Sequence, residues 1–330
     1  MKHMMLLLGV IGWLGVGLTP WSNALAQSTA QDYPARPVRI VVPYAAGGST
    51  DILTRIQAQK LTARFGQGVI VENRPGANGV IGTEAVARAP ADGYTFLMAT
   101  NGQTISVGLS PKLPFNLERD FVPVINVAAM PNVIVVHPSQ PMKTLGDLIE
   151  HAKAKPGSLS FSHAGVGSPQ HLTGELFKLV AKVDIVGVPY KGGGPAIADA
   201  VAGTVPMAVG GVPVVSQHIA SGRLRALAVT SIQRSPLLSD VPTVAESGYP
   251  GFDAIFWIAL IAPRGVPAEI VQRMNAEVNT LLRDADIVKQ FAVQGATPVG
   301  GSPSELATFM KNDIETWVRV IREAKIKVEG

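Results

Sequence analysis

Three glycine-rich segments carry the residue types that seat a small anion: Tyr44-Ala45-Ala46-Gly47-Gly48-Ser49-Thr50-Asp51, Gly165-Val166-Gly167-Ser168-Pro169-Gln170-His171 and Pro189-Tyr190-Lys191-Gly192-Gly193-Gly194-Pro195. Each follows a short apolar run and leads into a segment of helical character. A helix start leaves backbone N–H groups without intrahelical acceptors, and its dipole favours negative charge there. Glycine lets the ligand approach the backbone, while Ser49, Thr50 and Ser168 offer hydroxyls. In open α/β sheets, ligands gather beyond the carboxyl ends of strands, where these loops fall. The chemistry on offer is capture of a carboxylate. Taken singly, each loop reads more readily as a turn with a capping hydroxyl, and it is their recurrence that favours a shared site.

The side chains around these loops divide by what their charge and shape allow. Asp51 would repel a carboxylate, so its expected task is to fix the first loop at a helix start. Lys191 offers a positive charge to a distal carboxylate, or is a solvated lysine on a loop. Tyr190 directly precedes the third glycine run, and Gly192 lies within it. His163 and His171 flank the second loop beside Gly167 and Gln170. Two histidines with no cysteine and no third ligand do not make a metal site, and His171 is expected to orient the loop or cap a helix. Phe256 and Trp257 sit on a long apolar run, where aromatic rings either line a cleft or fill a core.

Catalysis finds little support. Gly165-Val166-Gly167-Ser168-Pro169 places its serine one position late for a hydrolase elbow, with proline behind it. Gln170 stands where a dinucleotide fingerprint needs its third glycine, and no phosphate-loop Gly-Lys-Ser/Thr is present. A hydrolytic α/β enzyme is therefore the weakest reading, and no cofactor is expected. The charge balance of 28 Lys and Arg against 24 Asp and Glu is too even, and too scattered, for nucleic acid.

The elements that must position these loops alternate between strand and helix. Val38 to Val42 reads as a buried strand, Asp51 to Phe65 as a helix, Val69 to Glu72 as a strand, Ile81 to Arg88 as a helix and Thr95 to Ala99 as a strand. The same grammar returns with strands at Val133 to Val136, Leu159 to Ser162, Ile185 to Pro189, Val205 to Val209 and Leu227 to Thr230. Helices are expected over Thr144 to Lys155, from Pro169, and over Ala196 to Ala202. Two α/β lobes, each with a mostly parallel sheet, follow from this alternation. Ile255 to Ala262 is a long apolar strand followed by two helical segments, Val266 to Arg283 and Ser302 to Lys325. The second opens on a capping box, Ser302-Pro303-Ser304-Glu305. That strand is expected to cross back to the first lobe, with both helices packing there. Residues 33–132 and 256–330 would then form a discontinuous first lobe, and 133–255 an inserted second lobe, with the two crossovers acting as a hinge.

The first residues predict export. Met1-Lys2-His3, an apolar run to Leu18 and Ala24-Leu25-Ala26 make a secretory signal over residues 1–26, with cleavage near Ala26. The apolar run is shorter than the ~20 residues of a spanning helix. The chain has 0 cysteines, which closes the lipid-anchor route and leaves a soluble periplasmic protein, expected as a monomer.

Five segments together resemble the Bug-type receptors, the solute-binding components of tripartite tricarboxylate transporters: Pro43 to Asp51, Glu72-Asn73-Arg74-Pro75-Gly76-Ala77, Ala89-Pro90-Ala91-Asp92-Gly93-Tyr94, Gly165 to Leu172 and Val188 to Gly193. The likeness runs along the whole chain in order. It implies a two-lobed type II periplasmic binding fold, a Venus flytrap, closing on a dicarboxylate, tricarboxylate or aromatic carboxylate. It also implies that the Gly47-to-Asp51 loop holds one carboxylate, that Ser168 and its neighbours contact the ligand from across the cleft, and that the segment after the third strand, with Asn101 and Gln103, faces the ligand's variable part. Delivery to the membrane subunits of a transporter is the expected role. A receptor for a membrane sensor kinase would need the same closing motion.

Overall fold

The computed structural model describes residues 33–110, 112–190 and 192–326. The expected signal peptide and Lys191 lie outside them.

The first half opens with β1 (Val38–Val42), α1 (Ser49–Phe65), β2 (Val69–Asn73), α2 (Val80–Ala87), β3 (Thr95–Thr100) and α3 (Asn101–Leu109). A short α4 (Leu117–Asp120) then leads into a 16-residue strand, β4 (Phe121–Val136). β1 pairs in parallel with β2 and β3, as right-handed βαβ units require. Both faces are covered. Val38, Ile40 and Val42 join one core cluster while Val41 joins another, and the two clusters lie on opposite faces of the strand.

The second half follows with α5 (Leu145–Ala154), β5 (Ser160–His163), α6 (Pro169–Ala181), β6 (Val186–Pro189), α7 (Gly193–Val201), β7 (Met207–Gly211), α8 (Val212–Ala220) and β8 (Arg225–Val229). β5 pairs in parallel with β6 and β7. The chain then returns through β9 (Ile255–Pro263), α9 (Ala268–Leu282), α10 (Ala285–Val293), β10 (Thr297–Gly300) and α11 (Pro303–Glu323). Expected caps form: Thr144 closes a capping box with Asp147, and Ser302 closes one with Glu305.

One strand joins the halves. The order β2-β1-β3-β9-β4-β7-β5-β6 makes a single path, with β8 and β10 also pairing with β4. From Phe121 to Pro131, β4 runs antiparallel to β9; from Asn132 to Val136 it pairs antiparallel with β7. Each βα repeat is parallel, as the alternation predicts, and the crossing strands make the sheet mixed. The sequence reading placed only Val133 to Val136 in this strand. Residues 121–132 also belong to it, with register shifts between Pro123 and Ile125 and between Asn126 and Ala128.

The last helix departs from expectation. α9 packs in the first half through Ile270, Met274 and Val278, and α11 begins there with Leu306 and Met310. Farther along, Trp317, Val320 and Ile321 belong to the core of the second half instead. A 21-residue helix spans roughly 30 Å at 1.5 Å per residue, long enough to serve both cores. Asp313, midway, accepts hydrogen bonds from Thr104 Oγ1, from Trp257 Nε1 at 3.1 Å and from Trp317 Nε1 at 3.0 Å.

Candidate ligand site

The first glycine loop is held from behind by its own aspartate. Asp51 is 3% exposed; its Oδ2 accepts from the Gly47 N–H at 2.9 Å, and its Oδ1 accepts from Asn73 Nδ2 at 2.9 Å and Arg55 Nε at 3.0 Å. Gly47 takes φ +87°, a backbone that side-chain-bearing residues rarely adopt. Burial works to raise the Asp51 pKa, but the hydrogen bonds from Arg55, Gly47 and Asn73, with the Arg55 charge, outweigh it and hold the carboxyl below its ordinary value. The carboxylate is thus engaged within the loop. In front of it, Gly48 caps α1 without a side-chain bond, and the first intrahelical bond runs from Ile52 N–H to Gly48 O at 2.9 Å. The N–H groups of the helix's first turn have no intrahelical acceptor.

A cavity of about 220 Å³ lies at this helix start. Ser49, Thr50 and Phe256 approach from the first half, Gln170, Gly193 and Ile197 from the second, and Pro131 and Asn132 mark where β4 changes partners. Gly210, Gly211, Pro213 and Val214, at the end of β7 and the start of α8, complete the wall. Of the residues singled out from sequence, the cavity brings together Ser49, Thr50, Gln170 and Phe256; Gly47 and Gly48 are exposed on the same loop.

Other expected contacts fall elsewhere. Tyr44 Oη shares a 2.8 Å hydrogen bond with Thr100 Oγ1 and accepts from Gln103 Nε2 at 3.4 Å. Thr100 to Ile105 is not a loop: Thr100 and Gln103 form the capping box of α3, so Gln103 is engaged with the backbone. Asn101 is buried and donates to Ile255 O at 3.1 Å. Tyr190 donates to Asp199 Oδ2 at 2.6 Å, and Gly192 caps α7 one residue before the cavity-lining Gly193. Trp257 is fully buried in the core, because successive residues of a strand face opposite ways and its neighbour Phe256 takes the cavity side.

Ser168 does not line this cavity. It caps α6, accepting from the His171 N–H at 3.2 Å, and borders a separate opening of about 910 Å³ with Asn78 and Ser106. Gly167 donates its N–H to His171 Nδ1 at 3.2 Å. The rings of His163 and His171 stack at 4.3 Å. Burial, foremost, pushes both pKa values down to about 4, so both are neutral at pH 7. Among the described residues no group of three or more His, Cys, Asp or Glu could hold a metal ion.

The wall built by Gly210, Gly211, Pro213 and Val214 escaped the sequence reading. Its signal was present: an apolar strand, two glycines and a proline at a helix start repeat the grammar of the other three loops.

An open α/β framework divided by crossing strands, with its cavity at the crossover, is the architecture of periplasmic solute-binding proteins. Solved structures of that class superpose on most of the chain. The R. palustris protein solved with adipate matches with TM-score 0.76 and 37% identity over 89% of this chain and 99% of its own. MatC from Rhodopseudomonas palustris, solved with bound malate, matches with TM-score 0.72 and 32% identity over 88% of this chain and 100% of its own. The family model described as the tripartite tricarboxylate transporter family receptor matches residues 53–326. Protein BugT of Bordetella pertussis is 42% identical over 306 residues, 92% of this chain and 94% of that protein. The chain belongs to the tripartite tricarboxylate transporter receptor family. Among the described residues, no helix is long and apolar enough to cross a membrane.

Proposed function

We propose that this protein is a periplasmic receptor, freed by cleavage near Ala26, that captures a small organic carboxylate and delivers it to the membrane subunits of a tripartite tricarboxylate-type transporter. One observation carries the reading: the 220 Å³ cavity sits where the first turn of α1 meets Gln170 and Gly193 of the other half, beside the residues at which β4 changes partners. An anion there accepts backbone hydrogen bonds from one side and polar contacts from the other. The lobes are residues 33–132 with the returning segment from 256, and 133–255, with the end of α11 packing on the second lobe, and the ligand shifts the balance between their open and closed arrangements. The adipate and malate in the solved relatives support the carboxylate class. Isothermal titration of the mature protein against a panel of mono-, di- and tricarboxylates tests the proposal. Saturable one-to-one binding of an acid, weakened by Thr50→Val, is the expected result, and absence of binding across the panel would sink it.

A further inference from the structure

The cavity residue Phe256 is held from behind by a ring of hydrogen bonds to its two neighbours in β9. On one side, Ile255 O accepts from Asn101 Nδ2 at 3.1 Å; on the other, Trp257 Nε1 donates to Asp313 Oδ2 at 3.1 Å. Thr104 closes the ring. Its buried hydroxyl reaches two acceptors, Asp313 Oδ2 and, at 2.9 Å, Asn101 O, and has one proton to give. Asp313 Oδ1 accepts from Trp317 Nε1 at 3.0 Å. Asp313 stands on α11 between Leu306 and Met310, which pack in the first half, and Trp317 and Val320, which pack in the second.

The ring has two proton arrangements. With Asp313 ionised, Oδ2 accepts from both Thr104 and Trp257. With a proton on Oδ2, that O–H donates to Thr104 Oγ1 and the Thr104 proton turns to Asn101 O. The buried Trp257 N–H then meets a hydroxyl oxygen, a poorer acceptor than a carboxylate, while Oδ1 keeps Trp317. Burial, foremost, pushes the Asp313 pKa up to about 6 against the pull of its three donors, and Asp253, on the segment entering β9, raises it further. No charged residue lies on α3, β4 or β9, which pack around it. On α6, which also meets α11, Glu175 and Lys178 pair at 2.9 Å and His171 is neutral at this pH.

We infer that Asp313 is a positioning residue for the cavity: through Trp257 it fixes the stretch of β9 that presents Phe256, and a proton on Asp313 loosens that stretch. The inference rests on the receptor reading above, which makes the cavity the ligand site. A filled cavity needs Phe256 in place, so ligand affinity falls as pH falls through the range in which Asp313 takes up its proton.

In the mature protein, Trp257 and Trp317 are the tryptophans, so Trp317→Phe and Trp257→Phe each leave a single reporter. Without ligand, Trp257 emission in Trp317→Phe should titrate between about pH 5 and pH 8, with a midpoint at or above about 6 because one donor to Asp313 is gone. Trp317 emission in Trp257→Phe should change less. Adding Asp313→Asn should abolish the Trp257 titration, and adding Asp253→Asn should move its midpoint down. Calorimetric titration with adipate and malate should show affinity falling about fivefold or more from about pH 7.5 to about pH 5.5 in wild type and staying level in Asp313→Asn. A merely structural Asp313 would lower the stability of Asp313→Asn yet leave Trp257 emission level across this range. That result, a titration that survives Asp313→Asn, or an affinity equally level with pH in both proteins would overturn the inference. The emission measurement needs no ligand, so it decides the inference even where neither acid binds, an outcome that counts against the receptor reading alone.

Discussion

Gly295, between α10 and β10, lies against the ring of Pro213 so closely that a β-carbon on the glycine would come within 2.3 Å of the proline Cγ. Their chain neighbours Ala296 and Val212 belong to the cores of different halves, and Pro213 also lines the candidate cavity. Their contact therefore joins the two halves beside the cavity.

Gly295→Ala should destabilise the protein for two separable reasons. The backbone at φ +63° disfavours any side chain, by about 1–2 kcal/mol, and the new methyl meets Pro213. Urea unfolding of Gly295→Ala, Pro213→Ala and the double variant separates them. The double variant should recover at least about 0.5 kcal/mol relative to additivity, and strict additivity would show that the contact carries no energy.

Asp51→Ala removes the acceptor of the Gly47 N–H and of the Asn73 amide at once. Both donors are partly open to water, so each loss costs about 1 kcal/mol, and a drop in thermal stability is expected, with weaker ligand binding as the loop loses its shape. Because the folded pKa of Asp51 is lowered, its stabilisation is present above the ordinary value of 3.8 and is lost as pH falls through the folded value. Comparing melting temperatures of wild type and variant from neutral pH downward should show the gap closing in acid.

Ser168→Ala separates capping from binding. Loss of the bond to the His171 N–H should cost about 1 kcal/mol of stability. Ligand affinity should stay within about threefold of wild type, under 1 kcal/mol, whereas Thr50→Val should weaken it by more. A Ser168→Ala variant that folds normally but binds tenfold more weakly would assign the serine a direct contact.

Between pH 4 and 6.5 two buried features act in opposite directions. His163 and His171, held down to about 4 chiefly by burial, become protonated on unfolding in this window, so they make stability rise with pH. Asp313, raised to about 6 chiefly by burial, keeps its proton in the fold and releases it on unfolding, so it makes stability fall as pH rises from 3.8 to 6. Each group contributes at most about 1.4 kcal/mol per pH unit, and two histidines against one aspartate leave a net rise with pH. Asp313→Asn should steepen that rise in melting temperature, and His163→Asn should flatten it.

The parts of the fold legible in the sequence were those whose spacing repeats. Val38 to Val42, the helix from Asp51 and the capping boxes at Thr144 and Ser302 are set by local chemistry, so local reading found them. β4 was seen only in part, because its first stretch carries irregularities, one of them beside Pro123, and is held as a strand by pairing with β9, 120 or more residues away in sequence. The site divided in the same way. Ser49, Thr50 and Gln170 follow from helix starts, whereas the cavity position of Phe256 depends on which face of β9 meets the second half. Gln103 and Tyr44 bond to each other, Tyr44 to Thr100, and Asn101 to the Ile255 carbonyl, pairings that only the fold brings about.

β4 has a mechanical consequence. A 16-residue strand contributes its first part to one sheet and its last five residues to the other, so no flexible tether intervenes along this crossing. Relative rotation of the halves must be taken up as twist within a hydrogen-bonded ribbon, in the manner of a torsion bar. Such an element stores work when turned and returns it on release, so under the proposed closing motion part of the drive to reopen would reside in the backbone itself.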